Sequence, residues 1–162
     1  SQLCSAVSHM HSHRSVHRDI KPSNVFLSAD GVVKLGDLGL SRYFSSKTAQ
    51  AQSMVGTPYY MSPECIRGQP YEWSSDTWSL GCLLYELCAL RNPFFKSGLN
   101  YYTLGKLITS CVYDPLPPHS SPELKQLVAA MLQQDASKRP SLQEISNFAE
   151  KCRVKYRNNA HH

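Results

Sequence analysis

Residues 16 to 27, VHRDIKPSNVFL, place a carboxylate, an amine and an amide in one short polar loop at Asp19, Lys21 and Asn24. Apolar residues enter and leave this loop, so its polar side chains are held between buried segments. A carboxylate close to a lysine and an amide suits a surface salt bridge, a metal site, or a general base beside a phosphate. The loop alone does not separate these three kinds of site.

A second acid favours the phosphate interpretation. Asp37 lies in GDLG, at the far end of a predicted β-hairpin that folds back toward Asn24. A carboxylate and an amide oxygen that face each other are hard ligands suited to Mg²⁺. Asp19 then remains able to accept a proton, and Lys21 can neutralise a developing phosphoryl charge. This combination predicts phosphoryl transfer, in which positioning and electrostatics supply most of the catalysis.

The elements that position these residues are predicted from periodicity and turn residues. SQLCSAVSHMHSH has helical spacing, NVFL and VVKL flank a turn at Ala29 to Gly31, and the long stretch 41–63 lacks periodicity. A buried helix begins near Ser74, with Ser74 or Ser75 as its cap and Leu87 among its buried apolar residues. Three more helices are expected near 100–110, 121–133 and 141–155. The predicted fold is therefore mainly α with one small β-hairpin.

Composition limits the classes of partner. The 162 residues carry 17 basic and 12 acidic side chains, and the basic end KCRVKYRNNAHH is interpreted as a solvated tail rather than a nucleic-acid site. Six scattered cysteines indicate a reducing compartment. The longest apolar run, WSLGCLLYELCAL, is too short to span a membrane. We therefore expect a cytoplasmic protein without nucleic-acid or membrane partners. A metal site at the three alternating histidines His9, His11 and His13 is disfavoured, because they point to different helix faces.

Several motifs in this order give the sequence a close resemblance to a known family. VHRDIKPSN, DLG and SPE resemble the catalytic loop, the metal-binding motif and the end of the activation segment of eukaryotic protein kinases. DTWSLG resembles the start of their central helix, and KRP completes the series. The run from DLG to SPE is similar to the NIMA-related kinases, especially their shortest, tail-less members. The resemblance covers essentially the entire chain.

This resemblance implies an enzyme that uses ATP and Mg²⁺ to phosphorylate serine or threonine in protein substrates. Asp19 would be the catalytic base, and Lys21 would contact the transferred phosphate. Asn24 and Asp37 would be the metal ligands. Phe26 would form the floor under the adenine, and Thr57 would tie the substrate-docking loop to the base. Lys21 and Thr57 together imply serine/threonine specificity.

The resemblance also implies structural and regulatory residues. Asp76 would brace the backbone of the catalytic loop, and Glu64 would pair with Arg139. Arg18 would hold an activation-loop phosphate, for which Ser53 is the candidate acceptor ahead of Ser45, Ser46 and Thr48. Mitotic or microtubule-linked signalling is implied, with nuclear or spindle localisation and a longer NIMA-related kinase as candidate activator.

The family also uses a Gly-rich loop, a strand-borne lysine and a helical glutamate, and none of them occurs in these 162 residues. We therefore expect the C-terminal lobe of a kinase domain over 1–155, a polar tail over 156–162, and no activity from this chain alone. A fragment of an active kinase is the favoured interpretation. The alternatives are a truncated binding module or scaffold that uses the same docking surface, and a degenerate kinase, which the intact catalytic residues disfavour.

Overall fold

A computed structural model describes residues 1–36 and 58–159 of the chain. Among these residues the elements follow the order α1 (Gln2–Ser12), β1 (Val25–Leu27), β2 (Val33–Leu35), α2 (Pro63–Ile66), α3 (Trp73–Ala89), α4 (Tyr101–Ser110), α5 (Pro122–Met131) and α6 (Leu142–Asn159). Short 3₁₀ turns lie at Pro22–Asn24 and Ala136–Lys138. The predicted mainly helical fold with one small hairpin is confirmed.

The first helix carries the hairpin on its side. Cys4 and Val7 are buried on one face of α1, as the helical spacing predicts. At the exposed start of the helix, the Gln2 side chain donates to the Gly31 carbonyl at 3.2 Å and accepts from the Val33 N–H at 2.7 Å. These two bonds fix the turn of the hairpin against the helix that precedes the catalytic loop.

The two strands pair antiparallel with Val25 opposite Leu35, Phe26 opposite Lys34 and Leu27 opposite Val33. Gly31 has φ of +80°, a left-handed conformation that costs glycine little, so the tight turn falls where the sequence predicts it. The register also brings Gly36 opposite Asn24, and the Gly36 N–H donates to the Asn24 carbonyl at 2.8 Å. The hairpin therefore returns the chain to the end of the catalytic loop immediately before Asp37.

The central helix α3 is buried along most of its length, from Ser75 to Leu83 and again at Tyr85. Two predictions for it are wrong. The N-cap is Glu72 rather than Ser74 or Ser75, and the Glu72 N–H donates to the Ser75 hydroxyl at 3.2 Å. Leu87 is 70% exposed, because it lies at the open side of an apolar cavity of ≈ 370 Å³ between α1, α3, α5 and α6.

The other helices enclose α3 and form two apolar cores. One core joins α1, α3, α5 and α6 through Val7, Leu83, Leu127 and Ile145, and the other surrounds Trp78 and Phe94. The Asn100 side chain caps α4 and the Ser121 side chain caps α5, each by accepting a backbone N–H. The last helix continues four residues past its predicted end, to Asn159.

Candidate active site

The catalytic loop, residues 17–24, is anchored to the central helix by one carboxylate. Asp76 near the start of α3 accepts the His17 N–H at 3.0 Å and the Arg18 N–H at 3.2 Å. Arg18 has φ of 70°, a left-handed conformation that is uncommon for residues other than glycine. The bond from its N–H to Asp76 helps to hold the backbone in this conformation. The structure thus contains the contact that the resemblance implied for Asp76.

Two further side chains complete the surroundings of Asp76, and neither was predicted from the sequence. The Tyr71 hydroxyl donates to Oδ1 at 2.6 Å, and Nε2 of His11 lies 2.8 Å from Oδ2. Complete burial would raise the pKa of Asp76, but the hydrogen bonds from His11, Tyr71 and the two loop N–H groups outweigh it and lower the pKa. Asp76 is therefore an ionised acceptor with four donors.

On the open side of the same loop, the three residues first singled out lie together. The Asp19 carboxylate is 3.1 Å from Nζ of Lys21 and accepts from Nδ2 of Asn24 at 3.0 Å. The same Asn24 nitrogen also donates to the Asp19 carbonyl at 2.8 Å. Asp19 and Lys21 have side chains that are 32% and 39% exposed, so they are accessible to a substrate while Asn24 is buried.

His17 has no exposed surface, and its ring joins the loop to the hairpin. Its Nδ1 accepts from the Asp19 N–H at 3.3 Å, and its Nε2 lies 3.0 Å from the Gly36 carbonyl. An imidazole that accepts at one nitrogen and donates at the other is the neutral Nε2–H tautomer. His17 thereby fixes the backbone on both sides of the predicted metal site. His17 lies within the loop motif, but residue types alone predict no role for it because its two partners are backbone groups.

The predicted nucleotide-site residues are divided between described and undescribed parts of the chain. Phe26 lies on β1 with 56% of its surface exposed, so its ring is available to a ligand on the hairpin. Asp37, Thr57 and Ser53 lie outside the described residues, as do Ser45, Ser46 and Thr48. Their predicted roles remain predictions.

The predicted contact between Glu64 and Arg139 is present and buried. Arg139 donates to both carboxylate oxygens of Glu64 at 2.8 Å, and the Ser75 hydroxyl donates to one of them at 2.7 Å. Burial would raise the pKa of Glu64, but the bonds from Arg139 and Ser75 lower it to about 2. The guanidinium also lies 5.0 Å from the Trp78 ring. This cluster joins α2 to the segment before α6.

Arg18 is exposed beside the loop. Its guanidinium carbon lies 5.9 Å from the centre of the Tyr71 ring, within the range of a cation–π contact. Tyr71 therefore touches both the carboxylate that anchors the loop and the arginine that the resemblance assigns to phosphate binding.

The described residues show neither a metal cluster nor a membrane-spanning helix. No group of three or more His, Cys, Asp or Glu side chains in the described ranges is arranged to hold a metal ion. The His9 ring lies against His13, and His11 turns instead toward Asp76. No helix in the described part of the chain is both long and apolar enough to cross a membrane.

Comparison with known proteins agrees with the motifs and the loop geometry. The family model for the protein kinase domain matches residues 1–149. The chain belongs to the protein kinase family.

Its curated relatives include the serine/threonine-protein kinases Nek1 and Nek3 of Mus musculus. Nek1 is 41% identical over 144 residues, which are 89% of this chain and 12% of the relative. Nek3 is 49% identical over 140 residues, 86% of this chain and 27% of the relative. A putative serine/threonine-protein kinase A of Trypanosoma brucei brucei is 42% identical over 146 residues, covering 33% of its length. The predicted resemblance to the NIMA-related kinases is confirmed, and this kinase chain spans an eighth to a third of these relatives.

Proposed function

We propose that the complete protein transfers the γ-phosphoryl group of ATP to serine or threonine hydroxyls of protein substrates. The described residues would form the C-terminal lobe of its catalytic domain. The observation that carries the proposal is the position of Asp19. Its backbone N–H donates to the buried His17 ring, while its partly exposed carboxylate lies 3.1 Å from Lys21.

Each group of the open side then has a chemical role. The Asp19 carboxylate accepts the proton of the attacking hydroxyl, which orients that hydroxyl toward the phosphate. Lys21 places a positive charge beside the same carboxylate and can neutralise charge on the transferred group. Because burial and two bonds to Asp19 fix the Asn24 side chain, the base and the predicted metal ligand are held as one unit.

The loop also fits the predicted magnesium site. The Asn24 nitrogen is engaged by Asp19, so the amide oxygen is the end available to a cation, and amide and carboxylate oxygens are ligands that Mg²⁺ prefers. Asp37 would supply the carboxylate, and the clamped Gly36 before it supports that assignment. Bound ATP–Mg²⁺ supplies the phosphoryl group and offsets its negative charge. The exposed Phe26 ring would contact the adenine, and Thr57 would tie the substrate segment to Asp19.

Regulation by phosphorylation is part of the proposal. Ser53 lies four residues before Thr57, and its phosphate would add about −1.5 to −2 charges that the exposed Arg18 can bind. Replacing Ser53 with alanine in the complete kinase should strongly reduce activity, whereas Ser45→Ala should not. Full activity of Ser53→Ala would show that Ser53 is not the activating phosphorylation site.

The cellular setting is proposed from the resemblance to the NIMA-related kinases. Signalling in mitosis or at microtubules, nuclear or spindle localisation, and activation by a longer NIMA-related kinase are the settings we propose. The 162-residue chain alone should neither bind ATP–Mg²⁺ measurably nor phosphorylate a peptide, because alignment of the phosphates also needs the family's Gly-rich loop and lysine. Calorimetric titration beside a transfer assay tests this, and micromolar binding would contradict it.

The central experiment measures transfer from radiolabelled ATP to serine, threonine and tyrosine peptides by the complete protein. Asp19→Asn should lower kcat about 10²–10⁴-fold, the usual contribution of a general base. Asp114→Asn is the matched control, because Asp114 is another accessible carboxylate paired with a basic side chain, Arg91 at 2.8 Å. Equal activity of Asp19→Asn and wild type, or preference for the tyrosine peptide, would overturn the proposed function.

A further inference from the structure

The apolar cavity between α1, α3, α5 and α6 has a buried floor. Its volume of ≈ 370 Å³ lies within the range of about 300–1,000 Å³ in which proteins bind small molecules. The floor belongs to the core that joins these four helices, and its residues are at most 9% exposed: Cys4, Leu80, Leu83, Leu127, Met131 and Ile145. None of these side chains carries a nitrogen or oxygen atom. The floor therefore favours a hydrocarbon.

The rim of the cavity is open and partly polar. Leu87 is 70% exposed and Tyr156 is 49% exposed, and both line the cavity. Ser121 lines it from the N-cap of α5. The hydroxyls of Ser121 and Tyr156 therefore bring polar groups to an otherwise apolar surface. A ligand that matches this change from floor to rim is amphipathic, with one hydrocarbon chain and one polar end.

Positive charge is concentrated beside the rim, at the end of α6. Residues 151–159, KCRVKYRNN, contain four basic side chains and no acidic one. Cys152 and Tyr156 within this run line the cavity. Lys155 is three residues from Cys152, and side chains at that spacing are neighbours on a helix surface. The polar end of the ligand is therefore expected to be an anion.

Lys155 already binds one carboxylate at this rim. Its Nζ pairs with Oε1 of Glu123 on α5, close in sequence to the lining residues Ser121 and Leu124. The lysine side chain of this pair is 57% exposed. Exposed ion pairs of this kind contribute little free energy. A second carboxylate can therefore compete with Glu123 for Lys155.

We propose that the cavity binds a long-chain fatty acid, with its hydrocarbon chain among the floor residues and its carboxylate at Lys155 on the rim. None of the residues that line the cavity belongs to the catalytic loop. The site therefore goes beyond the proposed kinase function, and its occupancy can be measured without phosphoryl transfer.

The first experiment titrates saturated fatty acids of 10, 12 and 14 carbons into the complete protein by calorimetry, below their micelle-forming concentrations. The Kd should fall about fourfold for each added CH₂, because each buried CH₂ contributes about 0.8 kcal/mol. Absence of binding by the folded protein, or a Kd that does not depend on chain length, would overturn the proposal.

A cavity-filling variant locates the hydrocarbon chain. Ala149 lines the cavity on α6, so a phenylalanine at this position would occupy the space that the chain needs. Ala149→Phe should weaken binding of myristate about tenfold or more. Ala129→Phe is the matched control, because it makes the same exchange at an exposed position of α5 outside this cavity, and it should bind as wild type does. Wild-type affinity in Ala149→Phe would show that the fatty acid binds elsewhere.

The two partners of the rim ion pair should affect the Kd in opposite directions. Lys155→Gln should weaken myristate binding about threefold, whereas Glu123→Gln should strengthen it by a similar factor, because it removes the competing carboxylate. Lys138→Gln is the control, since Lys138 is another exposed lysine, 3.9 Å from Asp135 and outside the cavity. Equal changes of the same sign in Lys155→Gln and Glu123→Gln would indicate that the pair only closes the rim, and the carboxylate site would be wrong.

Cysteine alkylation tests the site in the wild-type protein, without a variant that could fail to fold. Cys152 lines the cavity and Cys88 does not, and both are half-buried. Myristate should slow alkylation of Cys152 by N-ethylmaleimide in proportion to the occupied fraction of the site, with the rate at Cys88 unchanged. Peptide mass spectrometry measures both rates. Equal slowing at the two cysteines, or no slowing at Cys152, would overturn the proposal whether or not the protein transfers phosphate.

Discussion

Glu64 and Asp76 are two carboxylates buried beside the start of α3, and they are stabilised in different ways. Glu64 is balanced by a full opposite charge, the Arg139 guanidinium, at 2.8 Å from both its oxygens. Asp76 receives four single hydrogen bonds, two of them from backbone N–H groups of the catalytic loop. The first arrangement joins parts of the chain 75 residues apart, whereas the second shapes a loop.

This difference separates stability from function. An ion pair is specific for two side chains, and its loss leaves one buried charge without a partner. A carboxylate bound by several donors distributes its charge, so the loss of any single donor is partly offset by the others. We therefore expect Glu64 to dominate the stability of the domain and Asp76 to dominate the geometry of the active site.

The largest expected effect comes from breaking the ion pair. Arg139→Met should lower the free energy of unfolding by about 3–5 kcal/mol, because Glu64 then stays buried without its counter-charge. Chemical unfolding followed by tryptophan fluorescence measures this. Arg91→Met is the control, since its pair with Asp114 is half exposed and worth less than about 1 kcal/mol. Equal losses in the two variants would contradict the comparison, and Glu64→Leu/Arg139→Met should recover part of the loss.

Acid should weaken the same pair. The pKa of Glu64 is lowered from 4.5 to about 2 in the folded protein, so its stabilisation is complete above about pH 5.5 and is lost as the pH falls toward 2. The loss should reach about 3 kcal/mol in an unfolding series across that range. In Arg139→Met this part of the pH dependence should disappear. If the unfolding free energy of Arg139→Met fell with pH as steeply as that of wild type, the acid effect would come from other carboxylates.

Asp76→Asn should lower the free energy of unfolding less than Arg139→Met does, but it should lower kcat more. The asparagine presents an NH₂ group toward the donors that now bind Asp76, which should destabilise the protein by about 1–3 kcal/mol. The larger signature is a fall in kcat at saturating ATP, because the loop that holds Asp19 loses its anchor. Arg139→Met, assayed below its unfolding temperature, should keep a near-normal kcat. A lower kcat in Arg139→Met than in Asp76→Asn would contradict the proposed division between stability and active-site geometry.

The smallest effect is expected for Tyr71→Phe. It removes one of the four donors to Asp76, at 2.6 Å, and leaves the ring beside Arg18. A loss of about 1 kcal/mol in unfolding free energy is expected, since three donors remain. If Tyr71→Phe lowered the unfolding free energy as much as Asp76→Asn, the other three hydrogen bonds would not offset the loss of this one.

Much of the fold was predictable because local patterns carry it. Helical spacing of apolar residues predicted α1 and α3–α6, and the turn at Gly31 predicted the hairpin. The grouping of Asp19, Lys21 and Asn24 was equally predictable, because these residues lie within six positions of one another.

Contacts between distant or weakly patterned residues were not predictable from residue types. His11 reaches Asp76 across 65 positions, and nothing in its helix distinguishes it from the histidines on either side. The cap of α3 was missed because serine is the more common capping residue, yet Ser75 here binds the backbone of Glu72 and the carboxylate of Glu64. The exposure of Leu87 depends on which neighbours cover the helix, and periodicity contains no such information.

Gly36 links the two halves of the predicted nucleotide site. Its N–H and carbonyl are bound by Asn24 and His17, and a Cβ built on it would lie 2.5 Å from Cε2 of Phe26. These two hydrogen bonds hold the Gly36 backbone in place, so the exposed Phe26 ring is the group that would have to move away. Positions 26 and 36 should consequently show epistasis: alanine at 36 should be tolerated with a short side chain at 26 and selected against beside phenylalanine.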